Sequence, residues 1–140
     1  MGTRSTIALE FADGTVQAVY CHWDGYLSNN GQILLKHYSD PFKLRDLIDL
    51  GGFSSLEGTV EATAEQAYTQ RGEELSIQKF KDIQDYYKNV YGEEYDYILS
   101  MNWEGKAQWY VRFYATEGNW IPLEQAIKDE QDQTAQEEME

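Results

Sequence analysis

Seven consecutive residues, Tyr20-Cys21-His22-Trp23-Asp24-Gly25-Tyr26, hold a thiol, an imidazole, a carboxylate and three aromatic rings. With Ser5, the side chains of His22 and Asp24 are the residue types of a nucleophile, a base and an orienter, the set a hydrolase needs. The match is one of composition, because the G-x-S-x-G elbow that exposes many serine nucleophiles is absent. The same residues also make an ordinary strand end, in which His22 bonds a backbone carbonyl, Asp24 caps the turn before Gly25, and Ser5 closes the ladder. Between these lies a third role, a pocket for a small ligand or a partner lined by Thr3, Ser5, His22, Asp24 and Tyr26. No metal and no cofactor is expected: the chain has two histidines, His22 and His37, one cysteine, and no ligand pair at helical or knuckle spacing.

The elements that must position these groups can be read from periodicity. Thr6 to Phe11 and Val16 to Tyr20 alternate with period two around Asp13-Gly14, the signature of a hairpin with a two-residue turn. That turn predicts Phe11 opposite Val16, Leu9 opposite Ala18, and Ile7 opposite Tyr20, all on one face. Extended outward, it sets Ser5 opposite His22 and Thr3 opposite Asp24 as a polar continuation of the core face. Arg4 and Trp23 then share the other face, where the guanidinium either lies over the indole or neutralises a nearby carboxylate. Cys21 points away from the core face.

After Gly25, helices are predicted at Gln32 to Tyr38 and from Pro41, capped by Asp40, to Gly51. Leu44, Leu47 and Ile48 are the core residues of the second. Large apolar residues are sparse in the stretch 53–74, which reads mostly as a long loop, with a short helix around Ala62, Ala64, Ala67 and Tyr68. It could close over the polar patch. A third helix is predicted from a Ser76 cap through Ile77 to Val90. Strands follow at Tyr95 to Met101 and Lys106 to Tyr114, joined by Asn102-Trp103-Glu104-Gly105, and a last helix at Leu123, Ala126 and Ile127. The expected fold is a single α+β domain over residues 1–128, an antiparallel sheet of about four strands with helices packed on one face. An acidic tail, 129–140, is expected to be a frayed helix or solvated chain.

The formal net charge is −14 over 140 residues, and 41% of the residues are hydrophobic, enough for a core. So acidic a chain is a poor match for phosphate backbones, which require clustered Lys and Arg. Direct nucleic-acid binding is therefore not expected. No apolar run is long enough to span a membrane, and the first residues lack the apolar stretch of a signal peptide. One cysteine suits a reducing compartment. Acidity serves solubility, and it also serves mimicry of nucleic acid by a carboxylate surface. Aromatic side chains beside acids suit a protein partner, and the expected acidic and aromatic surface comprises Glu93, Glu94, Asp96, Tyr110, Tyr114, Asp129, Glu130 and Asp132.

Three segments carry a resemblance: Gly2-Thr3-Arg4-Ser5-Thr6-Ile7, Val19 through Tyr26, and Asn30-Gly31-Gln32-Ile33-Leu34-Leu35-Lys36-His37-Tyr38. Together they resemble a group of small bacteriophage and prophage proteins that open with Gly-Thr-Arg-Ser and carry Cys-His-Trp-Asp-Gly-Tyr before a helix. The resemblance covers about the first third of the chain. Family members often have Pro where this chain has Leu27, so a turn that depends on that Pro would differ here. The resemblance implies a phage accessory protein acting in the host cytoplasm. Its expected partner is a host nuclease, helicase or defence complex, bound and blocked without enzymatic turnover. The rival expectations are a protein that sequesters or hydrolyses a nucleotide-like ligand at the His22 patch, and a structural protein of virion assembly.

Overall fold

In the computed structural model, which describes residues 2–101 and 104–138, the Asp13-Gly14 turn is longer than two residues. The Phe11 carbonyl accepts from the Gly14 N–H at 2.9 Å, and the Phe11 N–H donates to the Thr15 carbonyl at 2.7 Å. Asp13 Oδ1 accepts from both the N–H and the hydroxyl of Thr15. Gly14 takes φ +90°, the left-handed conformation of a bulge glycine. The extra residue shifts the pairing of β1 (Ser5–Glu10) and β2 (Val16–Cys21) by one, to Ile7 opposite Val19 and Ser5 opposite Cys21. A shift of one sends every side chain of β2 to the face opposite the expected one. Val19 and Cys21 therefore join Ile7 and Leu9, while Val16 and Ala18 join Ala8.

The sheet has six strands in the order β3-β2-β1-β4-β5-β6, rather than about four antiparallel ones. Here β3 is Gln78–Phe80, β4 Tyr95–Met101, β5 Ala107–Phe113 and β6 Ile121–Pro122. The pair β1–β4 is parallel, with Ile7 opposite Tyr97, and the other pairs are antiparallel. A strand apolar on both faces belongs inside a sheet. With Ile7 and Leu9 on one side and Ala8 on the other, β1 meets that condition.

Helices also cover both faces, not one. On the first face lie α1 (Gln32–His37), α2 (Pro41–Ile48) and α5 (Leu123–Glu138). Their Leu34, Leu44, Leu47, Ile48 and Leu123 pack on Ile7, Val19, Tyr97, Leu99 and Val111. As expected, Asp40 caps α2, accepting from the Phe42 N–H at 3.0 Å, and Leu44, Leu47 and Ile48 are buried. On the second face, α4 (Ile83–Asn89) sets Tyr86 over Ala8, Ala18 and Ile98. The small side chains of Ala8 and Ala18 leave the room that a tyrosine ring fills.

The expected helix from Ile77 to Val90 is split. Gln78–Phe80 pairs with Val16–Ala18 as an edge strand, and α4 starts only after Asp82, whose side chain accepts from the Asp85 N–H at 2.8 Å. The segment 53–74 contains α3 (Val60–Ala64) and a 3-10 turn, Tyr68–Arg71. It is anchored at its start: the Phe53 N–H donates to the Tyr20 carbonyl and the Phe53 carbonyl accepts from the His22 N–H. Phe53 is fully buried, so this end extends the sheet and is no lid. Helix α5 runs on through the acidic residues, and those from Lys128 to Ala135 are exposed. Asn102 and Trp103, expected in the β4–β5 turn, lie outside the described residues, as do Met139 and Glu140 of the acidic tail. Among the described residues no helix is long and apolar enough to cross a membrane.

Candidate functional site

The one-residue shift takes the Ser5, His22, Asp24 constellation apart. Ser5 is fully buried opposite Cys21, and its Oγ accepts from the Asn30 amide at 3.2 Å. The same Asn30 Nδ2 lies 3.4 Å from Cys21 Sγ and 3.3 Å from the Trp23 carbonyl. Asn30 belongs to a single π-helical turn, Leu27–Gly31, which swings its amide into the sheet end. Cys21 faces the core, contrary to the expected register, and burial pushes its thiol up to about 11. A thiol so far above neutrality is packing material rather than a nucleophile.

His22 is half-buried on the opposite side. Its Nδ1 is 2.6 Å from the Tyr20 hydroxyl, and its ring meets Trp23 edge-on at 4.6 Å between centroids. Asp24 is exposed in the left-handed region, φ 58°, and its Oδ1 accepts from the Tyr26 hydroxyl at 3.3 Å. Trp23 and Tyr26 are about half exposed, and Trp23 lies against Gly2 rather than under Arg4. Exposed Arg4 instead sits in the field of Glu93 and Tyr20. Thr3 gives its carbonyl to the Gly25 N–H. Thus Ser5 and His22 have different partners on different faces, and no nucleophile–base contact joins them. His22→Ala is expected to change the unfolding free energy by under about 1 kcal/mol, as for other changes outside the core, in urea titrations. A larger loss would show that the Tyr20–His22 contact holds the hairpin.

The expected acidic and aromatic surface divides in two. Asp96 is not part of it, being only 2% exposed. Its Oδ1 accepts from the Thr6 hydroxyl at 2.7 Å and the Glu93 N–H at 2.9 Å, and its Oδ2 meets Arg112 at 3.2 Å. Asp96 is thus an internal brace. Arg112 in turn lies over the Trp120 ring, 4.7 Å from its centroid. Tyr110 is half-buried in β5 beside Pro122, and Glu93 and Glu94 lie before β4. Burial pushes the Glu93 carboxyl above the ordinary range.

Tyr114, Asp129 and Glu130 do come together. They line a groove of about 450 Å³ between the end of β5 and α5, with Leu27 and Phe113 also in its wall. Asp132 is exposed on the same helix. Tyr114 is 84% exposed. A row of rings leads inward from it: Tyr114 edge-on to Phe113 at 5.4 Å, Phe113 stacked on Tyr95 at 5.0 Å, and Tyr95 stacked on Tyr97 at 6.3 Å. Burial, then Tyr114, then the charge of Glu130 push the Tyr95 phenol up, so the field of Glu130 reaches this row. Sequence reasoning offers Phe113 and Tyr95 for core packing or a protein interface but does not place them in this surface, and it misses Asn30 as the organiser of the sheet end. The alternation of β4 and β5 puts Tyr95 and Phe113 on one face, and that signal could have found them; nothing local marks Asn30.

Among the described residues no group of three or more His, Cys, Asp or Glu side chains could hold a metal ion. No protein-family model matches the chain, and no curated protein or solved structure is significantly similar to it.

Proposed function

We propose that this chain is a phage accessory protein that binds a host nucleic-acid-handling or defence protein in the host cytoplasm and occupies the basic surface which that protein offers to nucleic acid. The supporting observation is the run of exposed carboxylates on α5. Its described acidic side chains, Glu124, Asp129, Glu130 and Asp132, stand exposed against a single cation, Lys128. Asp129 and Glu130 lie beside the exposed ring of Tyr114. Carboxylates spaced along a helix present charge to a cationic cleft, and an aromatic beside them supplies the anchor that charge alone lacks. The segments Gly2 to Ile7 and Val19 to Tyr26 that resemble the phage proteins support the phage origin.

The test is capture from host lysate at low and high salt, beside a triple variant in which Asp129, Glu130 and Asp132 are each changed to Lys. The captured protein is then assayed for displacement of its nucleic acid by the wild-type chain. Binding that falls steeply with salt, is lost in the triple variant, and competes with nucleic acid is the expected result. Capture that ignores both salt and charge reversal would overturn the mimicry.

A further inference from the structure

We infer that the groove between β5 and α5 is a receptor for arginine side chains on an extended segment of the partner protein; the inference rests on the binding function proposed above and names its contact point. The α5 residues facing the groove are Ala126, Asp129, Glu130, Gln133 and Thr134, positions repeating at three and four, and none is a cation. Lys128 points elsewhere, lining a different depression with Gln125 and Pro122. The opposite wall is Phe113, Tyr114, Ala115 and Thr116. A planar cation that stacks on an aromatic ring while its edge meets a carboxylate fits these two walls, and guanidinium is the protein side chain of that shape.

Two further observations fit this occupant. The Glu130 carboxylate forms no ion pair with any described residue, so it is available to a ligand. The backbone at Tyr114 is also held in place, although the ring is exposed. It opens a 3-10 turn, Tyr114–Thr116, in which the Thr116 hydroxyl accepts from the Phe113 N–H at 3.2 Å and donates to the Phe113 carbonyl at 2.9 Å. With the backbone already ordered, only the rotation of the ring itself is lost on binding. Lysine, a compact and strongly hydrated ammonium, would meet the carboxylates but gain less from the ring.

The experiment titrates the isotope-labelled full chain with a nine-residue peptide carrying three arginines, and with the same peptide carrying three lysines, following backbone amide resonances. The arginine peptide should shift Tyr114, Thr116, Glu130 and Thr134 together, and bind about two- to fivefold more tightly than the lysine peptide. Tyr114→Ala should weaken it by about that factor while Tyr114→Phe retains it, and Glu130→Gln should weaken it by about threefold. Equal affinity for both peptides, with shifts spread over all acidic segments and unmoved by Tyr114→Ala, would overturn the inference. The two proposals fail separately. A host protein captured in full by Tyr114→Ala leaves the binding function and removes the groove. Arginine recognition with no host capture leaves the groove and removes the function.

Discussion

Asp96→Ala is expected to lower the unfolding free energy by about 3 kcal/mol, toward the low end for a broken buried ion pair because Arg112 keeps some solvent contact. The Asp96 side chain is 3% exposed and that of Arg112 24%. The carboxylate receives the Thr6 hydroxyl from β1, the Glu93 N–H from the turn before β4, and Arg112 from β5. Its loss leaves a half-buried guanidinium without its counter-charge and two donors without an acceptor. Urea denaturation of Asp96→Ala beside a double variant, Asp96→Ala with Arg112→Leu, checks this. The double variant should recover part of the loss, because the stranded cation is gone. No loss in the single variant would show that water replaces the carboxylate without cost.

Gly25→Ala is expected to cost a further large amount, also about 3 kcal/mol, from overpacking. A methyl group at Gly25 would stand 2.8 Å from the Thr3 carbonyl oxygen, 2.9 Å from Ser5 Cβ and 3.0 Å from the Arg4 carbonyl oxygen. These are backbone and near-backbone atoms of the segment that leads into β1, unable to swing aside as a long side chain could. The Gly25 N–H donates to Thr3, and its carbonyl accepts from the Tyr97 hydroxyl. Thermal unfolding of Gly25→Ala and of Tyr26→Ala, the exposed neighbour, separates close approach from mere position in the motif. If both variants melt together, the contact at Gly25 is soft. The Cys-His-Trp-Asp-Gly-Tyr segment, read for its chemistry, is in this light a plug: Cys21 and Gly25 turn inward as packing, and the capable groups His22, Trp23 and Asp24 turn outward.

Local chemistry made much of this legible. The Asp40-Pro41 start, the buried Leu44, Leu47 and Ile48, and the span of β4 follow from capping and period, and the structure places them where those rules do. Asp13-Gly14 announced a turn but not its length, because the same dipeptide serves a two-residue loop and a three-residue loop with a bulge. That ambiguity exchanged the inward and outward sides of β2, and with them the roles of Cys21 and His22. Gln78–Phe80 carries a helical stripe yet pairs as a strand, since the free edge of β2 offers it hydrogen bonds that its own sequence does not reveal. Asp96 read as surface because acids usually are; its burial depends on Thr6 and Arg112, far away in sequence. The groove could be assembled only once β5 and α5 were side by side.

The parallel pairing of β1 with β4 has a consequence for how the molecule forms. Ser5 to Leu9 receive their second neighbour from Tyr95 to Leu99. Closing so wide a loop comes before any reward from the contact, which slows folding relative to local pairing. During synthesis the N-terminal hairpin leaves the ribosome long before β4, with Thr6 lacking its carboxylate and Gly25 lacking the Tyr97 hydroxyl. The first segment thus waits for the last third, and a fragment ending before β4 would expose the bare edge of β1.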